Sequence, residues 1–225
     1  MKALHIFTLA ASLAGVCSAA TIIQTQNFSF VPSGTAPLTF NQFDTALGTL
    51  TSITITTNVT KNGGSLFVDN ESATPASGNI SQSVTINLTS SVGLVDASFT
   101  AIGNGVSATS SYTATVGADD GDGPGVQTTG PDYDGTTFGQ TSTSQTKDVY
   151  SGAFGGYQGT GTYAIDAGGV QGFNTAAIGG AAVAIDPASV LGDVTITYNF
   201  TAIPEPSSAL LGGIGCLALL RRRRR

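Results

Sequence analysis

An acidic segment near the middle of the chain carries five aspartates within sixteen residues, interleaved with glycines. Ca²⁺ in proteins takes several oxygen ligands on a flexible turn, and alternating aspartate and glycine supply both. The EF-hand pattern is not met, because the twelfth position from Asp120 is Pro131 and not a bidentate glutamate. The segment therefore predicts either a Ca²⁺ site of another kind or a solvated acidic loop whose residues serve turn chemistry. The candidate ligands are Asp119, Asp120, Asp122, Asp132 and Asp134.

The same carboxylates are the one catalytic set that the composition allows. Residues 21–203 contain no histidine, cysteine, arginine or tryptophan, since His5, Cys17 and Cys216 lie outside that range. Nucleophilic triads and metal sites that depend on imidazole or thiolate are thereby excluded. Two aspartates could still hydrolyse a glycosidic bond, although such enzymes usually bind sugar with aromatic platforms and polar clamps as well. We therefore expect no enzymatic activity and no cofactor other than Ca²⁺, with a carbohydrate-active hydrolase as the alternative.

The acidic segment must be held in place by the elements on either side of it, and the sequence predicts that these are strands. In residues 50–60, isoleucine and valine alternate with threonine, serine and asparagine, as in a strand with one buried face. The Asn-Gly-Gly turn at residues 62–64 leads into an apolar segment at residues 66–68, which is a hairpin signal.

Further short strands are expected on both sides of this segment, and no part of residues 21–203 has apolar residues at helical spacing over three turns. The pattern is typical of antiparallel structure, and the length suits an all-β, two-sheet sandwich of jelly-roll or immunoglobulin-like type. A parallel β-helix is the alternative, but the chain has no repeat of fixed period. The other expected strands are residues 21–30, 38–43, 84–88, 95–102, 112–116, 154–165 and 194–200.

Residues 21–203 are strongly acidic, because two lysines face thirteen acidic residues and give a formal charge of −11. The whole chain has a net charge of −6, since six of its eight cationic residues lie at the two ends. An anionic surface of this kind argues against nucleic acid as a partner, because phosphates need lysine and arginine to neutralise them. Without cysteine the region cannot form a disulfide, so a packed core and backbone pairing must stabilise it.

The N-terminus has the order of a secretory signal peptide. Lys2 precedes an apolar run over residues 3–16, and small residues follow at positions 18–20. We expect a signal peptide over residues 1–20, cleavage after Ala20 and export of the domain over residues 21–203.

The C-terminus combines a short motif, an apolar run and a basic cluster. Pro204-Glu205-Pro206 ends the preceding strand, because proline fixes φ and removes a backbone donor. Residues 207–220 carry no charge and predict a short transmembrane helix of about 21 Å, against a hydrocarbon core of about 30 Å. The five arginines that follow would stay on the cytoplasmic side, and they are Arg221, Arg222, Arg223, Arg224 and Arg225.

This tail, residues 204–225, resembles the PEP-CTERM sorting signal of Gram-negative bacteria, because the motif, the apolar segment and the arginines occur in the same order. The resemblance implies that the tail is held transiently in the inner membrane and recognised by an exosortase, a membrane-embedded protease or transpeptidase that acts near Pro-Glu-Pro. Residues 40–52 and 194–200 also resemble the two ends of the choice-of-anchor E type of domain. That second resemblance implies an exported β-domain and carries over no catalytic residue.

Together these features predict an exported protein of the cell surface or extracellular matrix. We expect a structural or binding role associated with exopolysaccharide, and an exosortase-type membrane protease as its sorting partner.

The sorting signal predicts that the protein released at the cell surface lacks its C-terminal residues. Mass spectrometry of the released protein should place the new C-terminus close to Pro204-Glu205-Pro206, because the implied exosortase acts near that motif. Released protein that still ends in Arg225 would contradict this prediction.

Overall fold

A computed structural model describes residues 18–31, 33–123, 125–126 and 128–203, together with Gly212, Gly213 and Gly215. Pro204-Glu205-Pro206, the arginines at positions 221–225 and nearly all of the predicted signal peptide and apolar tail lie outside the described residues. Ala20, the predicted cleavage residue, lies near the start of the first strand. Among the described residues, no helix is long and apolar enough to cross a membrane.

The described residues form eleven strands and two short 3-10 helices, so the β class predicted from the sequence is confirmed. Threonine is the most frequent residue of the strands, and its branched side chain fits the pleated backbone well. The strands are β1 (Ala19–Phe30), β2 (Gly34–Asn41), β3 (Gly48–Asn62), β4 (Ser65–Asn70), β5 (Ala76–Ser90), β6 (Val106–Val116), β7 (Tyr133–Thr137), β8 (Thr141–Asp148), β9 (Thr162–Asn174), β10 (Ala181–Asp186) and β11 (Ser189–Ala202). The 3-10 helices cover Thr45–Leu47 and Ser151–Tyr157.

Eight of these strands form two four-stranded antiparallel sheets, and the remaining three form a smaller one. The first sheet has the order β1-β11-β3-β8, the second has the order β2-β9-β5-β6, and the third has the order β10-β4-β7. The first and second sheets contribute to one buried apolar cluster, which confirms antiparallel sheets in a sandwich-like arrangement.

Strand β3 shows why the two main sheets pack together. Ile53, Ile55 and Val59 are fully buried on its inner face together with Thr57, as the alternation predicts, and Thr54, Thr56 and Asn58 face outward. The three apolar side chains share the buried cluster with Ile86 and Ile165 of the second sheet. Burying each side chain of this size contributes about 1.5–3 kcal/mol, so the core can stabilise a domain that has no cysteine.

A smaller core lies at the far end of the second sheet. Ile80 of β5 and Val116 of β6 extend beyond the main core and pack with Leu66 and Val68 of β4. The third sheet is therefore fixed to the sandwich by apolar contacts, and the acidic segment connects β6 to β7 at this end.

Side-chain hydrogen bonds connect the main sheets where their edges meet. The Gln24 side chain of β1 donates to the Asn41 carbonyl oxygen of β2 at 3.0 Å and accepts from the Asn41 N–H at 2.8 Å. At the other edge, the hydroxyls of Ser110 on β6 and Thr141 on β8 share a hydrogen bond of 2.8 Å. These bonds satisfy polar groups at strand edges that would otherwise lack partners.

The predicted hairpin at residues 62–64 is wrong. Strand β3 pairs with β11 and β8, whereas β4 pairs with β10 and β7 in the third sheet. Gly63 and Gly64 have positive φ and do turn the chain, but the turn leads from one sheet to another. Strands β7, β8 and β10 were not predicted, and β8 contains no apolar residue from which a strand could be recognised.

Two predicted strands also differ from the structure. Residues 95–102 form a tight loop with a single bridge between Val95 and Ala101. The Asp96 carboxylate accepts from the N–H groups of Ser98 and Thr100, which turns the chain back on itself. Residues 154–165 begin in the second 3-10 helix, and β9 starts only at Thr162, because the glycine-rich sequence favours turns over a strand.

Three buried tyrosines carry hydroxyl groups into the main core. Tyr198 donates to the Asn41 carbonyl oxygen at 3.1 Å, so Tyr163 donates to the Tyr198 hydroxyl at 2.7 Å. Tyr157 donates to the Gly93 carbonyl oxygen at 3.0 Å. Burial raises the pKa of Tyr198 to about 12 and also raises the pKa values of Tyr157 and Tyr163.

These tyrosines predict cooperative unfolding in alkali. Their ordinary pKa is 10.0 and the folded-state pKa values are higher, so the unfolded chain loses these protons first. Their contribution to the free energy of unfolding is complete below pH 10 and is lost as the pH rises toward about 12. Circular dichroism and tyrosinate absorbance should therefore change together in this range. Full ionisation of all six tyrosines with an intact β spectrum would contradict the prediction.

Candidate functional site

Backbone hydrogen bonds hold both ends of the acidic loop between β6 and β7. The N–H of Gly117 donates to the Pro131 carbonyl oxygen at 2.6 Å, which closes the base of the loop. Asn70, a buried residue of β4, donates from its backbone N–H to the Asp132 carbonyl oxygen at 3.0 Å and from its side chain to the Gly117 carbonyl oxygen at 2.6 Å. The adjoining Asp119 N–H donates to the Ser72 carbonyl oxygen at 2.9 Å. The third sheet thus fixes the start and end of the loop.

Four of the five predicted ligands come together in this loop. Each contributes one carboxylate oxygen to a set in which all four atoms lie within 4.8 Å of one another. The set contains Asp119, Asp120, Asp122 and Asp132, and we call it the aspartate cluster. Asp132 is buried, with 1% of its surface exposed, whereas the other three are exposed.

Asp132 is the most constrained member of the aspartate cluster. Its Oδ2 accepts from the Asp120 N–H at 2.9 Å, while its buried Oδ1 has no hydrogen-bond partner among the described residues. A side chain at Gly130, where φ is +130°, would place its Cβ 2.6 Å from Asp132 Oδ1 and 2.8 Å from Asp120 Oδ2. These two oxygens therefore lie close together beside Gly130, where any side chain would collide with both, so the position requires glycine.

The charges of the aspartate cluster act on one another. The pKa of Asp122 is raised by partial desolvation and by the negative charges of Asp120, Asp69, Asp132 and Asp119, in decreasing order of effect. Asp69 was not predicted from the sequence, because it lies about fifty residues earlier on the chain. The pairing of β4 with β7 places Asp69 opposite Tyr133, close enough to the loop for its negative charge to act on Asp122. The sequence gives one sign of this role, namely that an acidic residue directly follows the apolar residues 66–68 of the predicted strand.

Asp134, the fifth predicted ligand, lies outside the aspartate cluster. Its Oδ1 accepts from the Tyr112 hydroxyl at 3.0 Å and from the Gly135 N–H at 2.7 Å, and its Oδ2 accepts from the Thr115 N–H at 2.7 Å. The hydrogen bond and negative charge of Asp134 raise the pKa of Tyr112. Asp134 thus connects β7 to β6 and has a structural role.

A second candidate site lies on the outer face of the first sheet. A shallow groove of about 460 Å³ is lined by neighbouring residues of β1, β3 and β11. The Asn58 side-chain amide donates to both carboxylate oxygens of Asp193, at 3.2 and 3.0 Å, across the centre of the groove. Sequence reasoning placed Asn58 on a solvent face but not in a groove, because the three strands lie far apart along the chain. The groove residues are Asn27, Phe28, Ser29, Asn58, Thr60, Leu191, Gly192 and Asp193.

The geometry limits what each site can do chemically. The groove has a single carboxylate, Asp193, so its described lining lacks the two acids of a glycosidase.

Lys61 is buried, and its ammonium donates to the Gly63 carbonyl oxygen at 2.8 Å and lies 4.7 Å from the centre of the Phe138 ring. Desolvation lowers the pKa of Lys61. Its contacts are those of a packed structural residue.

Comparisons with known proteins do not assign a family. No family model matches the chain, and no curated protein matches it. Among solved structures, the infectious bursal disease virus Gx strain is 16% identical over 83% of this chain and 42% of that one, with a TM-score of 0.14. The infectious bursal disease virus VP2 subviral particle is 15% identical over 98% of this chain and 53% of that one, with a TM-score of 0.12. The chain spans about half the length of these structures, and similarity at this level does not bear on its fold or function.

The position of Asp134 predicts a stability effect that is independent of metal. Asp134→Ala leaves the Thr115 N–H and the Tyr112 hydroxyl without their acceptor, and the loss of about one net hydrogen bond should lower the melting temperature by about 2–4 °C. The pKa of Tyr112 should fall toward its ordinary value in the same variant.

The matched control is Asp122→Ala, measured with a chelator present. Asp122 is exposed and lies among like charges, so its removal should not lower the melting temperature. Equal losses in both variants would show that Asp134 has no special structural role.

Proposed function

We propose that this protein is an exported, non-enzymatic β-sandwich module that acts at the cell surface or in the extracellular matrix and binds neutral polysaccharide there. The two ends of the sequence support export and exosortase-dependent sorting. The binding role is supported by one structural observation, the threonine-rich polar outer face of the first sheet and the groove within it.

The outer face of the first sheet is a regular array of small polar side chains. Thr25, Thr195, Thr56 and Thr146 occupy successive registered positions across its four strands. The hydroxyls of Thr25 and Thr195 lie 2.9 Å apart, and those of Thr56 and Thr146 lie 3.0 Å apart. Each hydroxyl can donate and accept, so this row of threonines matches the chemistry of sugar hydroxyls.

The groove beside this row adds groups with fixed orientation. Asn58 is held by Asp193, and Asn27 occupies the registered position next to Asp193 on β1. Leu191, which is 43% exposed, provides an apolar surface for the C–H face of a sugar ring. The formal charge of −11 over residues 21–203 would repel a polyanion, which favours a neutral glycan.

The strand order supports a finer description of the fold as a jelly roll. Successive strands alternate between the main sheets from β1 to β2, β3 and β5, and again from β6 to β8, β9 and β11. Two such sets of four strands are the two Greek keys of a jelly roll. In this description β4, β7 and β10 are additions that form the third sheet.

The binding proposal is tested by electrophoresis of the full chain, in neutral detergent, through gels that contain dextran, galactomannan or β-glucan. At least one neutral polysaccharide should retard the protein. Asn58→Ala should weaken that binding about tenfold, which corresponds to the loss of roughly one well-placed hydrogen bond.

The control variant is Asn79→Ala on the second sheet. Asn79 also makes a cross-strand side-chain bond, in which its Oδ1 accepts from the Thr113 hydroxyl at 2.7 Å, so the two variants lose similar contacts. No retardation by any neutral glycan, or equal effects of the two substitutions, would refute the proposed surface. Release of reducing sugar during incubation would favour the alternative of a hydrolase with paired aspartates.

A further inference from the structure

We propose that the aspartate cluster is a Ca²⁺ site that ties the β6–β7 loop to the third sheet. The inference concerns four residues that do not line the groove, and it does not depend on polysaccharide binding. Two observations carry it independently, namely the spacing of the four carboxylates and the buried, unpartnered oxygen of Asp132.

The spacing of the four carboxylates is within the reach of one Ca²⁺. Oxygens that bind one Ca²⁺ at about 2.3–2.6 Å can lie up to about 5 Å apart, and Ca²⁺ accepts several carboxylates in flexible geometry, whereas Mg²⁺ demands near-ideal octahedral geometry and usually keeps several waters. One oxygen from each member of the aspartate cluster already lies within 4.8 Å of the others. All four carboxylates can therefore reach a single Ca²⁺ with little movement, and water molecules can complete the coordination shell of the ion.

The second observation is the state of Asp132. A buried carboxylate oxygen without a hydrogen bond is unfavourable unless another group compensates its charge. Asp132 Oδ1 is such an atom among the described residues, and it lies beside Gly130 close to Asp120 Oδ2. A cation bound by these oxygens would satisfy Asp132 Oδ1 and offset the repulsion among the carboxylates.

Two members of the aspartate cluster lie at opposite ends of the loop. Asp119 follows the end of β6 and Asp132 precedes the start of β7. The Gly121 N–H donates to Asp119 Oδ1 at 2.8 Å and the Asp122 N–H donates to Asp120 Oδ1 at 3.2 Å, so no described residue donates to the Oδ2 atoms of Asp119 and Asp120. Bound Ca²⁺ would thus join the two ends of the loop above the smaller core.

The test uses the purified full chain in neutral detergent and CaCl₂ as the probe. Calorimetric titration should show one site with a dissociation constant on the order of 10⁻⁴ to 10⁻³ M, the range of extracellular calcium modules. Because Ca²⁺ would bind the folded chain preferentially, the melting temperature should rise with its concentration. MgCl₂ at matched ionic strength should produce a clearly smaller rise.

Variants separate ligation from general screening of negative charge. Asp119→Asn with Asp122→Asn alters two exposed ligands and should weaken Ca²⁺ binding more than tenfold while the chain still folds. Asp132→Asn should abolish binding, and its circular dichroism spectrum will show whether it remains folded. Glu71→Gln is the matched control, because the Glu71 Oε1 accepts from the Gly125 N–H of the same loop at 3.0 Å but lies outside the aspartate cluster. It should bind Ca²⁺ as the unsubstituted chain does.

The proposal fails if Ca²⁺ and Mg²⁺ raise the melting temperature equally. It also fails if the Asp119→Asn, Asp122→Asn double variant binds Ca²⁺ like the unsubstituted chain, or if Glu71→Gln weakens binding as much as that double variant. Each of these results would identify the segment as a solvated acidic turn.

Discussion

The pairing of β11 with β1 on one side and β3 on the other joins the first and last strands of the domain, and the rest of the structure depends on its register. In this register Val194, Ile196 and Tyr198 are buried against the second sheet, and the threonines between them face outward. A slip of one residue would exchange the two faces and bury threonine in place of isoleucine. The apolar core therefore selects this register of β11, which shifts against β3 only between Asn199 and Phe200.

The same register creates the outer surface of the first sheet. Because successive side chains point to opposite faces, each buried apolar residue of β3 and β11 is accompanied by an outward polar one. The rows of threonine and the Asn58–Asp193 pair are thus a consequence of the packing beneath them. Gly192 is needed at this point, because a side chain there would collide with the Phe28 ring and with the Asn58 carbonyl oxygen.

The acidic loop depends on a different constraint. The smaller core fixes β4 against β5 and β6, and Asn70 at the end of β4 then binds both ends of the loop. This arrangement buries Asp132 and brings Asp69 close enough to raise the pKa of Asp122. Negative charge is thus concentrated in a loop whose two ends are held by hydrogen bonds. A bound Ca²⁺ at the proposed site would offset the repulsion among these charges.

The sequence by itself determined the β class, the buried face of β3 and the concentration of aspartates in one loop, because alternation and local composition depend only on neighbouring residues. It did not determine which strands pair. The turn at residues 62–64 looked like a hairpin, but its two strands find partners in different sheets, and β8 lacked the apolar residues by which strands are recognised. Strand partners are chosen by the burial of surfaces that are distant along the chain, which a local pattern does not contain.

The residues of the candidate sites also fall into two groups, those that the local sequence predicts and those that only the tertiary structure brings together. The sequence predicted a common site for Asp119, Asp120 and Asp122, which are close neighbours along the chain. Only the tertiary structure shows that Asp132 and Asp134 differ in role. Asp132 is buried in the aspartate cluster, whereas Asp134 accepts hydrogen bonds from Tyr112 and Thr115. Asp69 and the groove formed by β1, β3 and β11 could not be predicted, because strand pairing brings together residues that lie tens of positions apart. The sequence supplied the side chains, and the packing of the sheets decided which of them meet.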